Sequence, residues 1–395
     1  MTANGKPDRA VATIFLVAAE TSGDRLGAAL IEALRTRLEG KVRFAGVGGA
    51  DMAAAGMASL VPIEELSIMG FAALPRRVPT ILRRIREVGD AVLRDKPDVL
   101  VIIDSPDFTH RVARRVRARN PSIPIVDYVS PTVWAWRPGR ARAMRRYVDH
   151  LLALLPFEPE VHKQLGGPPC SYVGHPLLQQ VATLRPNSEE RKRRRDGDPP
   201  VLLVLPGSRR GEIRHHMDVL GETLARLQAQ GMTFEPVIPT LPHLADLVAE
   251  KSAAWTVRPR LAIGDAERLA ATRIARAALT KSGTSTLELA LAGVPMVAFY
   301  KVSGWEAAIA RRVIRVPTVI LANLVIGDNV VPEFLQENCT PAQLAPAVAE
   351  ILRDGAARRR QIEAFAKLDQ LMAVGDLSPS QRAADLVIAT MLRAV

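Results

Sequence analysis

Short, almost unbroken apolar runs return along this chain at intervals filled by amphipathic segments, and that pattern restricts the fold more than any other feature. VATIFLVAA (11–19), VRFAGV (42–47), DVLVIID (98–104), IPIVDYV (123–129) and HLLALL (150–155) read as strands. All but the second are apolar nearly throughout, as expected of parallel strands covered on both faces. Segments with i, i+3, i+4 apolar spacing lie between them, so a right-handed βαβ series in a doubly wound sheet is the economical reading. The polar, proline-bounded stretch LRPNSEERKRRRDGDPP (184–200) then reads as a linker. The alternation restarts with VLLVLPGSRRGE (201–212), TFEPVIP (233–239), ARAALTKSGTSTLELALAG (275–293) and VPMVAFY (294–300). The expected organisation is an α/β protein with Rossmann-like domains at residues 9–183 and 201–365, facing a central cleft. A helical C-terminal tail follows, its last segment, 366–395, returning to the first domain or exchanged in a dimer.

With 395 residues, two cores of roughly 150–200 residues each are the default, and 48% apolar content supplies them. Cys170 and Cys339 are too far apart in sequence for a C-x-x-C motif, which suits a reducing compartment and argues against a disulfide framework. The polar start MTANGKPDRA, with Asp8, argues against a signal peptide, and no run of about 18 apolar residues spans a bilayer. Lys and Arg total 53 against 41 acidic residues, a balance of +12. Such a surface seeks phosphorylated or anionic partners, or reflects a genome that favours arginine.

In LPGSRRGEI (205–213) a strand end meets a Pro-Gly turn, Ser208, Arg209 and a helix start. Free N–H groups there favour an anion, and the Arg209 guanidinium adds paired donors for phosphate. The alternative is a Ser-capped helix with a solvated arginine. LTKSGTSTLELALAG (279–293) repeats the logic with Ser282, Gly283, Thr284, Ser285 and Thr286, and Glu288 can accept two ribose hydroxyls. Its alternative is a plain capping box, Ser285-x-x-Glu288. Two anion-ready turns and an acidic sugar ligand in one domain favour a nucleoside diphosphate.

In the first half the turn after the first strand is acidic, with Glu20, Ser22, Gly23 and Asp24 in AAETSGDRLGA, and it lacks the glycine spacing of a dinucleotide turn. Asp104, at the exit of DVLVIID before Pro106, is a candidate general base; capping of the next helix by Asp104 or Asp107 is the competing role. YVSPTVWAWRPGRARAMRRY (128–147) joins Trp134 and Trp136 to Arg137, Arg140, Arg142, Arg145 and Arg146, able to stack bases, line a headgroup site or fill a core with a wet edge. In GFAALPRRVPTILRRIREV (70–88), Val78, Ile81, Leu82 and Ile85 share one helical face among Arg76, Arg77, Arg83, Arg84 and Arg86. That suits an interfacial membrane helix or a core helix with a basic outer face.

Together these segments resemble the bacterial lipid-A-disaccharide synthase family, inverting glycosyltransferases of GT-B architecture. The resemblance covers about residues 12–390 and rests on AAETSGDRLGA, GVGGADMAAAGM, SIMGF, IIDSPDF, YVSPTVWAWR, LLPFEPEVH, YVGHPL, LPGSRRGEI, SGTSTLE and ILANLVIGDNVVPEFLQENCT in that order. It implies transfer of a sugar from UDP-2,3-diacylglucosamine to the 6-hydroxyl of 2,3-diacylglucosamine 1-phosphate, giving UDP and a β-1,6-linked disaccharide 1-phosphate, a lipid A precursor. No metal and no organic cofactor is implied. Ser208, Arg209, Ser282, Gly283, Thr284, Ser285 and Thr286 would hold the diphosphate, Glu288 the ribose, and Asn323 matches a position near the nucleotide. Asp104 would take the acceptor proton, with Glu20 the other candidate base and Ser22, Gly23 and Asp24 on the acceptor side. Arg210 departs from the family pattern and could share the phosphate role. A homodimer through exchanged tails and a peripheral place on the cytoplasmic face of the inner membrane, through residues 70–88, complete the expectation. The extension before Asp8 is expected to be disordered.

Rival readings use the same features. A UDP-sugar epimerase would release UDP from donor without acceptor. A nucleic-acid-binding protein would explain the charge but not the two anion-ready turns, and no such motif occurs, so nucleic acid is not an expected partner. A peripheral membrane scaffold rests on residues 70–88 alone.

Overall fold

The computed structural model describes residues 11–66, 74–302, 316 and 318–393. SIMGF (67–71), the extension before Asp8 and the side chains of Arg76 and Arg77 lie outside the described residues. The chain divides into two compact units, Met1–Pro176 with Val374–Val395, and Leu177–Ala373.

The first unit contains β1 (Ala12–Ala18), β2 (Val42–Val47), β3 (Val99–Ile103), β4 (Ile125–Tyr128), β5 (His150–Ala153) and β6 (Cys170–Tyr172). They form one sheet in the order β2-β1-β3-β4-β5-β6, every pair parallel, with Ile14 opposite Val99 and Ile103 opposite Tyr128. Helices cover both faces. Phe15, Val17, Leu100 and Ile102 pack with Ile85, Val88, Val112 and Val116 from helices Leu74–Asp95 and Pro106–Arg119. Ile14, Leu16, Val99, Val101 and Ile103 pack with Leu30, Ile31 and Leu34 of helix Thr21–Arg37, and with Ala383, Ala384 and Val387 of helix Pro379–Arg393. Burial on alternating sides explains why these strands are apolar at every position. Burying one such side chain contributes roughly 1.5–3 kcal/mol.

The second unit repeats the plan with β7 (Val201–Leu205), β8 (Glu235–Thr240), β9 (Arg260–Ile263), β10 (Ala277–Lys281), β11 (Met296–Tyr300) and β12 (Glu333–Leu335), in the order β12-β11-β10-β7-β8-β9. All pairs are parallel. Leu202, Val204, Leu279 and Phe299 meet Ile213, Met217 and Leu220 of helix Arg210–Ala229, and Leu344 and Val348 of helix Pro341–Leu352. Two doubly wound sheets and a helical C-terminal segment are thus as the alternation requires. The edge strands β6, β9 and β12 are three or four residues long, too short to carry a period.

Each sheet reverses its order once beside its first strand. After β2 the chain crosses β1 to add β3, and after β9 it crosses β7 to add β10. Ligands of open α/β sheets bind at the carboxyl ends flanking such a reversal.

Residues 184–200, expected as a linker, instead contain helix Ser188–Asp196, begun by a capping box in which Asn187 and Glu190 bond each other's backbone N–H at 2.9 Å. Its charge run is not all solvated. Arg194 donates to the carbonyls of Thr272 (2.9 Å), Arg273 (3.0 Å), Ala292 (2.8 Å) and Gly293 (3.3 Å). The apolar face read in residues 70–88 also divides. Ile81 and Ile85 are 7% exposed in the core, whereas Val78 and Leu82 are 41% and 40% exposed.

Candidate active site

In the second unit both suspected turns stand at the β7/β10 reversal. β7 runs out through Pro206 and Gly207 to Arg209, the residue before helix Arg210–Ala229. Gly207 has φ +127, and a Cβ there would collide with Glu212. Glu212 is one of the residues that sequence reasoning missed. Its buried carboxylate accepts from Ser208 N (3.0 Å) and Arg209 N (3.3 Å) through Oε2, and takes Lys281 Nζ at 3.2 Å on Oε1. The turn is therefore capped by Glu212 rather than by Ser208. Those two N–H groups, reserved for phosphate in the sequence reading, already have an acceptor. His216 holds the turn from behind, with Nδ1 2.6 Å from Pro206 O and Nε2 3.0 Å from Lys301 O.

At the second turn β10 ends at Lys281, Gly283 turns with φ +152, and helix Thr284–Leu291 begins without a side-chain cap. The Ser285/Glu288 capping box does not form. Glu288 Oε1 instead bonds Arg268 Nη1 of helix Gly264–Ile274, and Ser285 Oγ lies 3.2 Å from Thr280 Oγ1.

Between these turns lies a cavity of about 410 Å³, lined among others by Ser208, Arg209, Thr240, Arg268, Lys281, Thr284, Ser285 and Glu288. Its size suits a drug-sized organic ligand. Arg209, Arg268 and Lys281 bring three cations to it, and Glu288 brings a carboxylate. TK before SGTST was the available signal for Lys281; Arg268, in an ordinary helix, gave none.

The other expected residues sit apart from the cavity lining. Ser282 Oγ donates to Glu333 Oε1 (3.1 Å), and burial pushes the Glu333 carboxyl above its usual range. Thr286 is fully buried and donates to Gly283 O (2.8 Å). Asn323, matched to a position near the nucleotide, also lies outside the cavity lining. Its amide is used on both sides by the backbone of Val331, donating to O at 2.9 Å and accepting from N at 2.9 Å, so it clamps a loop.

The first unit gathers its carboxylates at the β1/β3 reversal. Asp104 follows β3 with φ +55 and Ser105 continues at φ +46, two consecutive left-handed residues without glycine. Such strain persists only where the surroundings hold it, typically at functional sites. Asp104 Oδ2 accepts from Ser22 Oγ (2.7 Å) and Oδ1 from Ser105 N (2.7 Å). Pro106 opens helix Pro106–Arg119 with no side-chain cap, so neither Asp104 nor Asp107 plays the capping part. Glu20 is exposed at the start of helix Thr21–Arg37. Gly23 lets that helix approach β3, since a Cβ would lie 3.1 Å from Ile103 O.

Asp24 is not aimed at solvent. It is buried, and it accepts backbone N–H bonds from Gly49 (2.7 Å), Asp51 (3.0 Å) and Met52 (3.1 Å). The acidic turn thus has two jobs: Asp24 fastens the neighbouring crossover, and Ser22 steadies Asp104. Behind Asp104, Asp127 is buried with His110 Nε2 3.0 Å from its Oδ2. Burial raises the Asp127 carboxyl, His110 opposes this, and the fields of Asp104 and Arg140 also reach it.

Among the described residues, no group of three or more His, Cys, Asp and Glu side chains is placed to hold a metal.

Paired doubly wound parallel sheets of this kind define the GT-B class, and known structures match the whole chain. The calicheamicin glycosyltransferase aligns with a TM-score of 0.59 at 18% identity, over 98% of this chain and 99% of that one. The UDP-GlcNAc 2-epimerase from Neisseria meningitidis bound to UDP-GlcNAc gives 0.60 at 12% identity, over 97% and 100%. At such identities the likeness shows the fold alone. Residues 14–386 match the family model for lipid-A-disaccharide synthetase. Lipid-A-disaccharide synthase of Nitrobacter hamburgensis is 64% identical over 389 residues, 98% of each chain. The chain belongs to the lipid-A-disaccharide synthetase family and is a glycosyltransferase, which removes the epimerase reading.

Proposed function

We propose that the chain joins UDP-2,3-diacylglucosamine to 2,3-diacylglucosamine 1-phosphate, forming the β-1,6-linked disaccharide 1-phosphate and UDP. Family membership supplies the lipid A disaccharide chemistry. The observation that carries the residue assignment is Asp104, a carboxylate fixed by Ser22 and Ser105 at the sheet reversal. It accepts the proton of the acceptor 6-hydroxyl while that oxygen bonds the donor's anomeric carbon. The bond from that carbon to the diphosphate breaks on the opposite face, so the centre inverts and UDP leaves with the electron pair.

In the second unit Arg209, with Ser208, Thr284 and Ser285, holds the diphosphate, and Lys281 and Arg268 add charge that stabilises it as it departs. Glu288 takes the ribose. Ser282, Gly283 and Thr286 shape the turn. A UDP-release assay in detergent with a chelator tests the reaction. Release is expected only when the acylated sugar 1-phosphate is present, with a disaccharide product; equal release without acceptor would indicate hydrolysis and end this reading.

Peripheral contact with the anionic cytoplasmic face of the inner membrane belongs to the same proposal. No helix among the described residues is long and apolar enough to cross a membrane. Val78 and Leu82, exposed on helix Leu74–Asp95 beside exposed Arg83 and Arg86, offer apolar and cationic groups together. The protein is expected to sediment with anionic liposomes at low salt and to be released as salt screens the arginines. Indifference to such liposomes would remove the contact.

A further inference from the structure

The segment between β4 and helix Gly139–Met144 is unusually constrained for a surface loop. Val129 has φ +92 and Arg137 φ +52, left-handed values that a β-branched or long side chain rarely adopts. Buried groups fix it from below. Ser130 Oγ lies 2.9 Å from His162 Nε2, and Trp134 Nε1 donates to Glu158 Oε1 at 3.2 Å. Glu158 Oε2 also accepts from Leu155 N at 2.9 Å, and Trp134 packs edge-on against Phe157 at 5.6 Å. Burial raises Glu158 to about 7 and lowers His162 to about 4, so this polar cluster is held in place against its own desolvation.

What the loop presents is two guanidinium groups on one indole. Arg137 Cζ stands 4.3 Å and Arg140 Cζ 5.8 Å from the Trp136 ring, whose Nε1 is tied to Thr132 Oγ1 at 2.8 Å. Asp107 holds Arg140 at 3.1 Å, whereas Arg137 makes no ion pair among the described residues. Two like charges beside one carboxylate leave a cationic surplus that packing alone does not need. The loop leaves the carboxyl end of β4 as Asp104 leaves that of β3, its neighbour in the sheet, and Arg140 reaches Asp107, three residues after Asp104, so the pair shares the carboxyl edge of the sheet with the base.

We infer that Arg137 and Arg140, aligned by Trp136, bind the phosphate monoester of the acceptor sugar. This rests on the transfer reaction proposed above. A phosphomonoester offers a double charge and a fan of oxygens, which planar guanidinium forks match pairwise, and the indole face holds each fork in a fixed plane. Anchoring the phosphate on C1 there while the 6-hydroxyl, carried on C5, meets Asp104 orients the acceptor for attack.

The test compares the acylated sugar 1-phosphate with the same acylated sugar lacking phosphate, in detergent micelles. Wild type is expected to prefer the phosphorylated acceptor. Arg137→Ala raises KM for that acceptor by about 10–100-fold and leaves the unphosphorylated one unchanged. Arg137→Lys restores part of the loss, since it returns the charge without the fork. Unaltered UDP affinity shows that the variant is folded, and Arg145→Ala, an exposed arginine outside the pair, behaves as wild type. An equal loss with both acceptors, a matching loss in Arg145→Ala, or no preference in wild type overturns the inference. Absence of acceptor-dependent UDP release by wild type with either sugar overturns the transfer reaction itself, and this inference with it.

Discussion

Asp104→Ala is expected to lower turnover by about 10²–10⁴-fold, the range that a positioned general base supplies, while UDP binds as it does in the wild type. The two effects separate because the groups belong to different units. Asp104 lies in Met1–Pro176, and every residue lining the 410 Å³ cavity lies in Leu177–Ala373. The carboxylate is held by Ser22 and Ser105 at 2.7 Å each, so its oxygens are fixed in direction before substrate arrives. Removing it leaves the left-handed turn and the helix after it in place, because Thr109 Oγ1 still bonds the Asp104 carbonyl at 2.7 Å. Steady-state kinetics with a separate UDP titration check the result. Near-normal turnover would strip Asp104 of the role and pass it to Glu20.

The second large effect is on stability. Arg194→Met is expected to destabilise the Leu177–Ala373 unit by about 3–5 kcal/mol, lowering its Tm by roughly 10 °C. One guanidinium serves the carbonyls of Thr272, Arg273, Ala292 and Gly293, which end helices Gly264–Ile274 and Thr284–Leu291. Methionine fills the stem's volume and donates nothing, so these carbonyls lose their donor in a site dry enough to lower the Arg194 pKa to about 10. Both helices carry cavity residues, Arg268 and Glu288, and weaker UDP binding should accompany the loss. Calorimetry of the variant beside the wild type decides the matter; an unchanged Tm would mean that water replaces the guanidinium without cost.

Much of this architecture could be read in the sequence because parallel strands buried on both sides write themselves as unbroken apolar runs. VATIFLVAA, DVLVIID and VLLVL each mark a central strand, and the polar residues just beyond them mark the reversal points. What escaped was set by partners distant in sequence. Asp24 looked like a sugar ligand because its partners, the amides of Gly49, Asp51 and Met52, lie a whole crossover away. The bonds that Asn323 makes to the backbone of Val331 could not be foreseen from LANL alone. Glu212 was given no role, although its carboxylate organises the turn and meets Lys281 from another strand. Arg194 vanished within a charged, proline-bounded run that reads as a linker.

The return of Val374–Val395 to the first unit has an effect on the order of events during synthesis. Ala383, Ala384 and Val387 are fully buried beside β3, β4 and helix Thr21–Arg37, and Arg37 reaches Asp385 at 2.8 Å. The unit made first on the ribosome therefore waits, one face of its sheet covered by helix Thr21–Arg37 but still lacking helix Pro379–Arg393, until the end of the chain emerges. The unit made second already has all its residues by then. Nascent chains halted with residues up to 373 emerged would carry a complete second unit and a first unit whose sheet is still partly open, a state in which chaperone contact would concentrate on the older half of the polypeptide.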